Sequence, residues 1–245
     1  MAGGCSKLAR GAAVFRRIIR GPSAARYGDG MTHVVMSGLS NMQKYWLITG
    51  SIGPRPIALV TTSSASGLYN AAPFSSFTYM GEDPPLMVMG VDHYGEESHR
   101  PGEIKDTLRN IQDRGEFVVN MVDESLLERM VVCGSDFPSD VSELDAVGLS
   151  LAPSSKIDTQ RIAETPIAWE CKLFKILDFS TSRSIVFGEI VAMFFRDDLI
   201  DAEALRVRID RYVPCGRLGG PNYSRTTDRI RLPVPTYTSK GVPRV

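Results

Sequence analysis

Five short apolar runs recur along the chain, each closed off by glycine, proline or aspartate: Ile57–Thr62, Leu86–Val91, Phe117–Val122, Ile167–Phe179 and Ile185–Phe195. Their length and their content of Val, Ile, Phe and Met are those of β-strands. In Ile167–Phe179 the alternation is legible: Ile167, Trp169, Cys171 and Leu173 face one way, Glu170 and Lys172 the other, outward. With five or more strands and few helices between them, a barrel fits better than a sheet of βαβ units. A chain of 245 residues is long enough to bury a full core as one domain.

Two helices stand out. In KDTLRNIQDRG, Leu108 and Ile111 form an apolar i,i+3 pair, Asp106 is placed to act as N-cap, and Gly115 marks the C-terminal stop. In DESLLERMVVCG the stripe is Leu126, Leu127, Met130 and Val131, ended by Gly134. A weaker pattern over residues 201–209, DAEALRVRI, suggests a third short helix.

Lysine plus arginine and aspartate plus glutamate number 28 each, so no basic field argues for nucleic acid. No apolar run reaches the roughly 18–20 residues of a membrane span. Cys5, Cys133, Cys171 and Cys215 form no CxxC pair, and the only histidines are His33, His93 and His99. Neither a disulfide framework nor a structural zinc site is expected, and no metal site of any kind.

Charge is unevenly placed. Lys7, Arg10, Arg16, Arg17, Arg20 and Arg26 all precede the first acid, Asp29; without those six, 22 basic groups face 28 acidic ones, a formal −6. Residues 1–42 thus have the composition of an organellar (for example mitochondrial) transit peptide, or of a disordered leader ahead of a start at Met31, Met36 or Met42. The expected domain is 43–245. Without an organellar address the protein would be cytoplasmic.

The oddest stretch follows the first strand. Asn70, Ala71, Ala72, Pro73, Phe74, Ser75 and Ser76 put small residues, hydroxyls and a proline where a core strand carries bulk. A wall this thin lets a flat ring approach the backbone, with Asn70, Ser75 and Ser76 supplying donors and acceptors. Taken alone, the segment also reads as an edge strand punctuated by proline. Lys105-Asp106-Thr107 alters the balance. A helix start gathers free N–H groups and positive dipole, and a lysine beside it adds charge, so an anion is well placed there; Thr61 and Thr62 could add hydroxyls. A ring slot and a phosphate cradle together describe a mononucleotide site, for which flavin mononucleotide (FMN) has the right parts.

From about Tyr45 to Tyr223 the chain resembles the flavin reductase-like, FMN-binding split-barrel proteins. PRPIALVTT, GLYNAAPFSSF, DPPLMV, KDTLRNI, GEFVVNMV, WECKL, FGEIV and RLGGPNY occur in that family's order. The resemblance implies a mainly β fold with a few helices, a six-stranded Greek-key-like split barrel, assembled as a homodimer with FMN near the subunit interface. Carried over by position, Arg55, Thr61, Thr62, Asn70, Ala71, Ala72, Pro73, Ser75 and Ser76 fall on flavin-contacting segments. Lys105, Asp106 and Thr107 fall on the phosphate side, and Arg217, Gly219, Gly220 and Tyr223 on a C-terminal motif close to the flavin. The stretch Gly134–Leu149, GSDFPSDVSELDAVGL, departs from the family pattern beside the substrate pocket.

The activity implied is that of an NAD(P)H:flavin oxidoreductase, in which NADH or NADPH gives hydride from C4 to flavin N5 and small molecules are the substrates. No protein acid, base or nucleophile is required. No GxGxxG lies between a strand and a helix, so a nicotinamide would dock directly on the flavin. A flavoredoxin-like electron carrier reduced by a protein partner is the competing reading. His93 and His99 read as loop histidines, and Cys133 and Cys171 as packed thiols.

Overall fold

The structure, a computed structural model, describes residues 30–232 and the strand Ala24–Arg26. Most of the expected leader lies outside those residues. The chain divides into two compact units, residues 1–52 and 53–245. In the first, Ala24–Arg26 pairs with Thr32–Val34, and helix α1 (Asn41–Ser51) starts at a reciprocal cap. There Ser40 Oγ accepts from Gln43 N at 3.2 Å, and Gln43 Oε1 accepts from Ser40 N at 2.9 Å.

The second unit is built on one seven-stranded antiparallel sheet. Its strands are β1 (Ala58–Ser63), β2 (Tyr69–Phe74), β3 (Phe77–Glu82), β4 (Pro85–Asp92), β5 (Glu116–Met121), β6 (Ile167–Ser180) and β7 (Arg183–Phe195). They lie in the order β2-β1-β5-β6-β7-β4-β3. The two edge strands, β2 and β3, are consecutive in sequence and separated only by Ser75 and Ser76. Two residues cannot span a flat sheet of that width, so the sheet must curl until its edges meet. Counted as one bent strand, Tyr69–Glu82 makes this the expected six-stranded barrel, split where β2 and β3 part. Gly90 N donates to Ser76 O at 2.8 Å and pins the bend to β4.

Strand β1 is buried on both faces, which explains why its run is apolar without alternation. Ala58 and Val60 join Met87, Met89, Phe117, Val119 and Val186 inside the curl, closed at one end by Leu108 and Ile111 of helix α2 (Asp106–Arg114). Leu59 points the other way, into a second core with Ala71, Val122, Leu126, Met130, Leu144 and Ile162. This outer core is covered by α3 (Leu127–Cys133) and α4 (Glu143–Val147). Phe117 is fully buried, a contribution of about 2–3 kcal/mol, and its ring lies across Gly188, where a Cβ would come within 2.5 Å of Cζ. Gly115 ends α2 at φ 69°, its N–H bonded to Ile111 O, as its place in the sequence suggests.

Four local expectations are corrected. Residues 201–209 are not a helix. A 3₁₀ turn at Asp197–Leu199 leads into the short pair Ile200–Asp201 and Arg206–Val207. Asp201 accepts from Ala204 N at 3.0 Å, and Leu205 (φ 50°) and Ile209 stay exposed, so no apolar face exists for a helix to bury. In α3 the buried stripe is Leu126, Met130 and Cys133, while Val131 is exposed. Asp106 is the first helical residue of α2 and Lys105 holds the cap position. Glu170 does leave the barrel face, yet it is completely buried. Its carboxylate accepts from Ser155 N and Lys156 N at 2.7 Å each, because the 153–160 segment folds over it.

Candidate functional site

At the start of α2 the first intrahelical bond is Arg109 N to Lys105 O, 3.1 Å. The N–H groups of Asp106, Thr107 and Leu108 therefore have no partner within the helix. Asp106 is committed inside the protein. Its carboxylate receives Arg100 at 2.8 and 2.5 Å, Arg109 at 2.9 Å and the Tyr94 hydroxyl at 3.1 Å, and Arg100 also bonds the Tyr94 hydroxyl. Burial works to raise the Asp106 carboxyl, but these donors outweigh it and hold it below the ordinary range. Burial, then the Asp106 charge, pushes the Tyr94 phenol up to about 12. Lys105 stands apart. Its ammonium lies 5.9 Å from the centre of the Tyr94 ring, and no carboxylate pairs with it among the described residues.

Thr107 is buried and its hydroxyl lies 3.0 Å from the Asn70 amide. With the amide oxygen accepting that hydroxyl, the Asn70 NH₂ faces the Glu143 carboxylate at 3.2 Å. Glu143, buried at the start of α4, also accepts the Ala71 N–H at 3.0 Å. That bond shows which way the edge faces. Tyr69, Ala71 and Pro73 turn their backbone polar groups away from β1, where Ala71 is capped by Glu143 and Pro73 has no N–H to offer. The thin segment is thus an edge strand protected against pairing with another strand. Burial drives the Glu143 carboxyl up, with the Ala71 N–H pulling it partly back.

At the far end of β2, Ser75 Oγ accepts from Arg55 Nε at 3.4 Å, and Arg55 donates to Leu218 O at 3.3 Å. Arg55 pairs in register with Arg217, and Arg217 with Tyr223. The Arg217 guanidinium lies 4.6 Å from the Tyr223 ring centre and bonds its hydroxyl. Gly219 and Gly220 shape the turn between them: Gly219 O accepts from Asn222 at 2.9 Å, and Gly220 has φ 61°.

The sequence-derived residues thus form two groups joined by β2. Asn70, Thr107 and Lys105 cluster at the start of α2; Ser75, Arg55, Arg217 and Tyr223 cluster at the other end. A strand rise of about 3.3 Å per residue sets Asn70 and Ser75 roughly 17 Å apart, with Ala72 and Pro73 between. Thr61 and Thr62 do not present hydroxyls to an anion at the helix start. Both are fully buried: Thr61 Oγ bonds Gln160 O at 2.9 Å, and Thr62 Oγ accepts from Asn110 at 3.0 Å.

Cavities flank the two ends of β2. A pocket of about 160 Å³ touches Asn70, Asp106, Arg109 and Pro138. A larger, mainly apolar cavity of about 450 Å³ lies beside Arg55, Phe77, Trp169 and Met193. Sequence reasoning missed Glu143, Arg100 and Tyr94. The signal for Arg100 and Tyr94 was proximity to Lys105 in the chain; Glu143 carried none, since it meets Ala71 only through tertiary packing. His99 Nδ1 lies 3.0 Å from Asp136, tying the loop before α2 to the 134–141 segment. Among the described residues, no group of three His, Cys, Asp or Glu could hold a metal, and no helix is long and apolar enough to cross a membrane.

The chain belongs to the flavin reductase-like family: the model of the flavin reductase like domain matches residues 51–212. The 2-nitrobenzoate 2-nitroreductase NbaA of Pseudomonas fluorescens is 65% identical, over 84% of this chain and 98% of that one, with a TM-score of 0.77. Component B of nitrilotriacetate monooxygenase from Bacillus cereus is 29% identical, covers 82% of this chain and 98% of its own, and has a TM-score of 0.76. An uncharacterised protein of Aquifex aeolicus (strain VF5) is 36% identical over 190 residues, 78% of this chain and 93% of that one.

Proposed function

We propose that this chain binds FMN along the β2 wall, takes hydride from NADH or NADPH, and reduces a small nitroaromatic acid. The observation that carries the reading is the pairing of Lys105, which no carboxylate meets among the described residues, with three helix-start N–H groups that lack an intrahelical partner, at one end of a wall of small residues. These suit a phosphate at Lys105 and the Thr107 backbone N–H, the Thr107 hydroxyl being taken by Asn70, and a flat ring against Ala72, Pro73 and Ser75. When bound, FMN supplies the capacity to accept hydride and pass electrons on. The protein's own part is positional. The Arg100–Asp106 lock fixes the loop over the helix start, Glu143 and Thr107 hold the wall through Ala71 and Asn70, and Arg55 anchors its far end through Ser75.

The nitroaromatic acceptor is supported by the 65% identity to the Pseudomonas nitroreductase. A second reading, a reductase that hands free reduced flavin to a separate oxygenase, is favoured by the likeness to the monooxygenase component. The electron-carrier reading has less support, since the flavoredoxin of Desulfovibrio vulgaris (Miyazaki F) is 17% identical and shares the fold alone. The bacterial relatives lend no support to an organellar address. We read the working unit as a homodimer whose second copy covers the half-buried positions of the flavin wall.

The test is an absorbance spectrum of the purified protein, then anaerobic titration with NADH and NADPH, then addition of 2-nitrobenzoate. Bleaching by nicotinamide and recovery by the nitro acid is the expected result. Recovery only by free FMN selects the second reading, and no bleaching by either nicotinamide defeats both.

A further inference from the structure

The Asn70 amide stands between a carboxyl group and a hydroxyl. One end of it lies 3.2 Å from Glu143 Oε1 and the other 3.0 Å from Thr107 Oγ, and among the described residues that hydroxyl has no other hydrogen bond. Glu143 Oε2 meanwhile accepts the Ala71 N–H at 3.0 Å. Two hydrogen arrangements fit these heavy atoms. With Glu143 ionised, the Asn70 NH₂ donates to Oε1 and the amide oxygen accepts the Thr107 O–H, with Ala71 N also 3.3 Å from that oxygen. With a proton on Oε1 the direction reverses. Oε1–H then donates to the amide oxygen, and the NH₂, turned over, donates to Thr107 Oγ. The Thr107 hydrogen is left without an acceptor in the protein, and Thr107 is only 1% exposed. A buried donor of that kind costs free energy until an acceptor arrives.

We infer that Glu143, Asn70 and Thr107 form a two-state relay: a proton taken from solvent by Glu143 turns the Asn70 amide over and frees the Thr107 hydroxyl to donate to a phosphate at the start of α2. Phosphate and proton then each favour the binding of the other by the same factor. The phosphate's presence rests on the flavin reading; the relay does not. The Thr107 N–H is one of the three helix-start donors, so one phosphate oxygen can meet both groups of that residue. The surroundings leave Glu143 able to take the proton. Burial already drives its carboxyl up, Asp106 at the start of α2 adds to this, and Arg100 opposes it. The Cys133 thiol of α3, pushed up to about 12 by burial, stays neutral. Glu128 of α3 and Asp145 of α4 are exposed, Arg129 donates to Ser125 O, and Tyr69 of β2 accepts from Gln160 N.

The experiment follows the Glu143 carboxyl carbon and the Asn70 side-chain amide by NMR in the full-length protein, as pH is raised from the ordinary glutamate range. Both signals should turn at one midpoint. In Glu143→Gln, whose amide N–H imitates the protonated state, Asn70 should stay fixed. FMN should raise the Glu143 midpoint by about one unit, equivalent to about tenfold tighter binding to the protonated form, and riboflavin should not. A phosphate charge alone also raises a nearby carboxyl, so Thr107→Val, alike in shape, is the control and should lose most of the rise. A rise undiminished in Thr107→Val overturns the inference, as does an Asn70 amide indifferent to the Glu143 midpoint. The latter is read on the unaltered protein and decides even if a variant misfolds. FMN held tightly with the midpoint unmoved would overturn the coupling and leave the flavin reading intact. No binding of FMN, with inorganic phosphate moving both signals, would sink the flavin reading and leave the relay standing.

Discussion

Glu143 Oε2 accepts the backbone N–H of Ala71 at 3.0 Å, joining a short helix to the open edge of the barrel. Removing the acceptor strands a buried donor, so Glu143→Ala should lower stability by about 1–3 kcal/mol in urea unfolding. Glu143→Gln keeps an acceptor and should cost less. The carboxyl is raised by burial, so the folded state holds its proton to higher pH than the unfolded state does. Stability should therefore fall as pH rises from the ordinary glutamate value through the folded one. Glu143→Gln should remove that component; parallel stability–pH curves for the two proteins would contradict the assignment.

Asp106 has the opposite sign. Although burial opposes ionisation, Arg100, Tyr94 and Arg109 hold it below its ordinary value. Its contribution is present above the ordinary aspartate pKa and lost as pH falls through the folded one. Asp106→Asn should flatten the acid side of the stability curve, and Asp106→Ala should cost about 1.5–3 kcal/mol by taking the charged acceptor from the partly buried Arg100. Amide exchange in residues 94–103 should quicken in both; unchanged exchange would mean the loop is held by something else.

Lys105→Ala should weaken FMN binding by about tenfold to a hundredfold, from a charge-assisted contact of roughly 1.5–3 kcal/mol. Riboflavin, which lacks the phosphate, should bind nearly as before. Equal losses for both ligands would show that Lys105 acts through the fold, and no loss for either would put the phosphate elsewhere.

Asn70, Ala72 and Pro73 of the β2 wall are only half-buried in one chain, and a ligand site normally encloses most of its ligand. Light scattering should give twice the 26.9 kDa chain mass, with FMN released as the dimer is diluted apart. A monomer that holds FMN tightly would refute this.

Strand content, the start and stop of α2 and the small-residue composition of Asn70–Ser76 were legible in the sequence, because each depends on residues near one another in the chain. Gly115 must adopt a positive φ wherever α2 packs, and Ala58–Ser63 must bury both faces because both are apolar or small. What tertiary structure alone decided is which groups remain available to a ligand. Thr61, Thr62 and Asp106 carry the right chemistry in the right segments, yet Gln160, Asn110 and Arg100 claim them from 99, 48 and 6 residues away. Among the described residues no carboxylate reaches Lys105, whose ammonium lies 5.9 Å from the Tyr94 ring centre. Glu143 becomes a wall residue only when α4 lies against β2, and Glu170 becomes buried only when a distant loop crosses its strand. A donor hydrogen serves one acceptor and an acceptor has few lone pairs, and which partner takes them depends on distances that the curl of the sheet creates and local sequence does not contain.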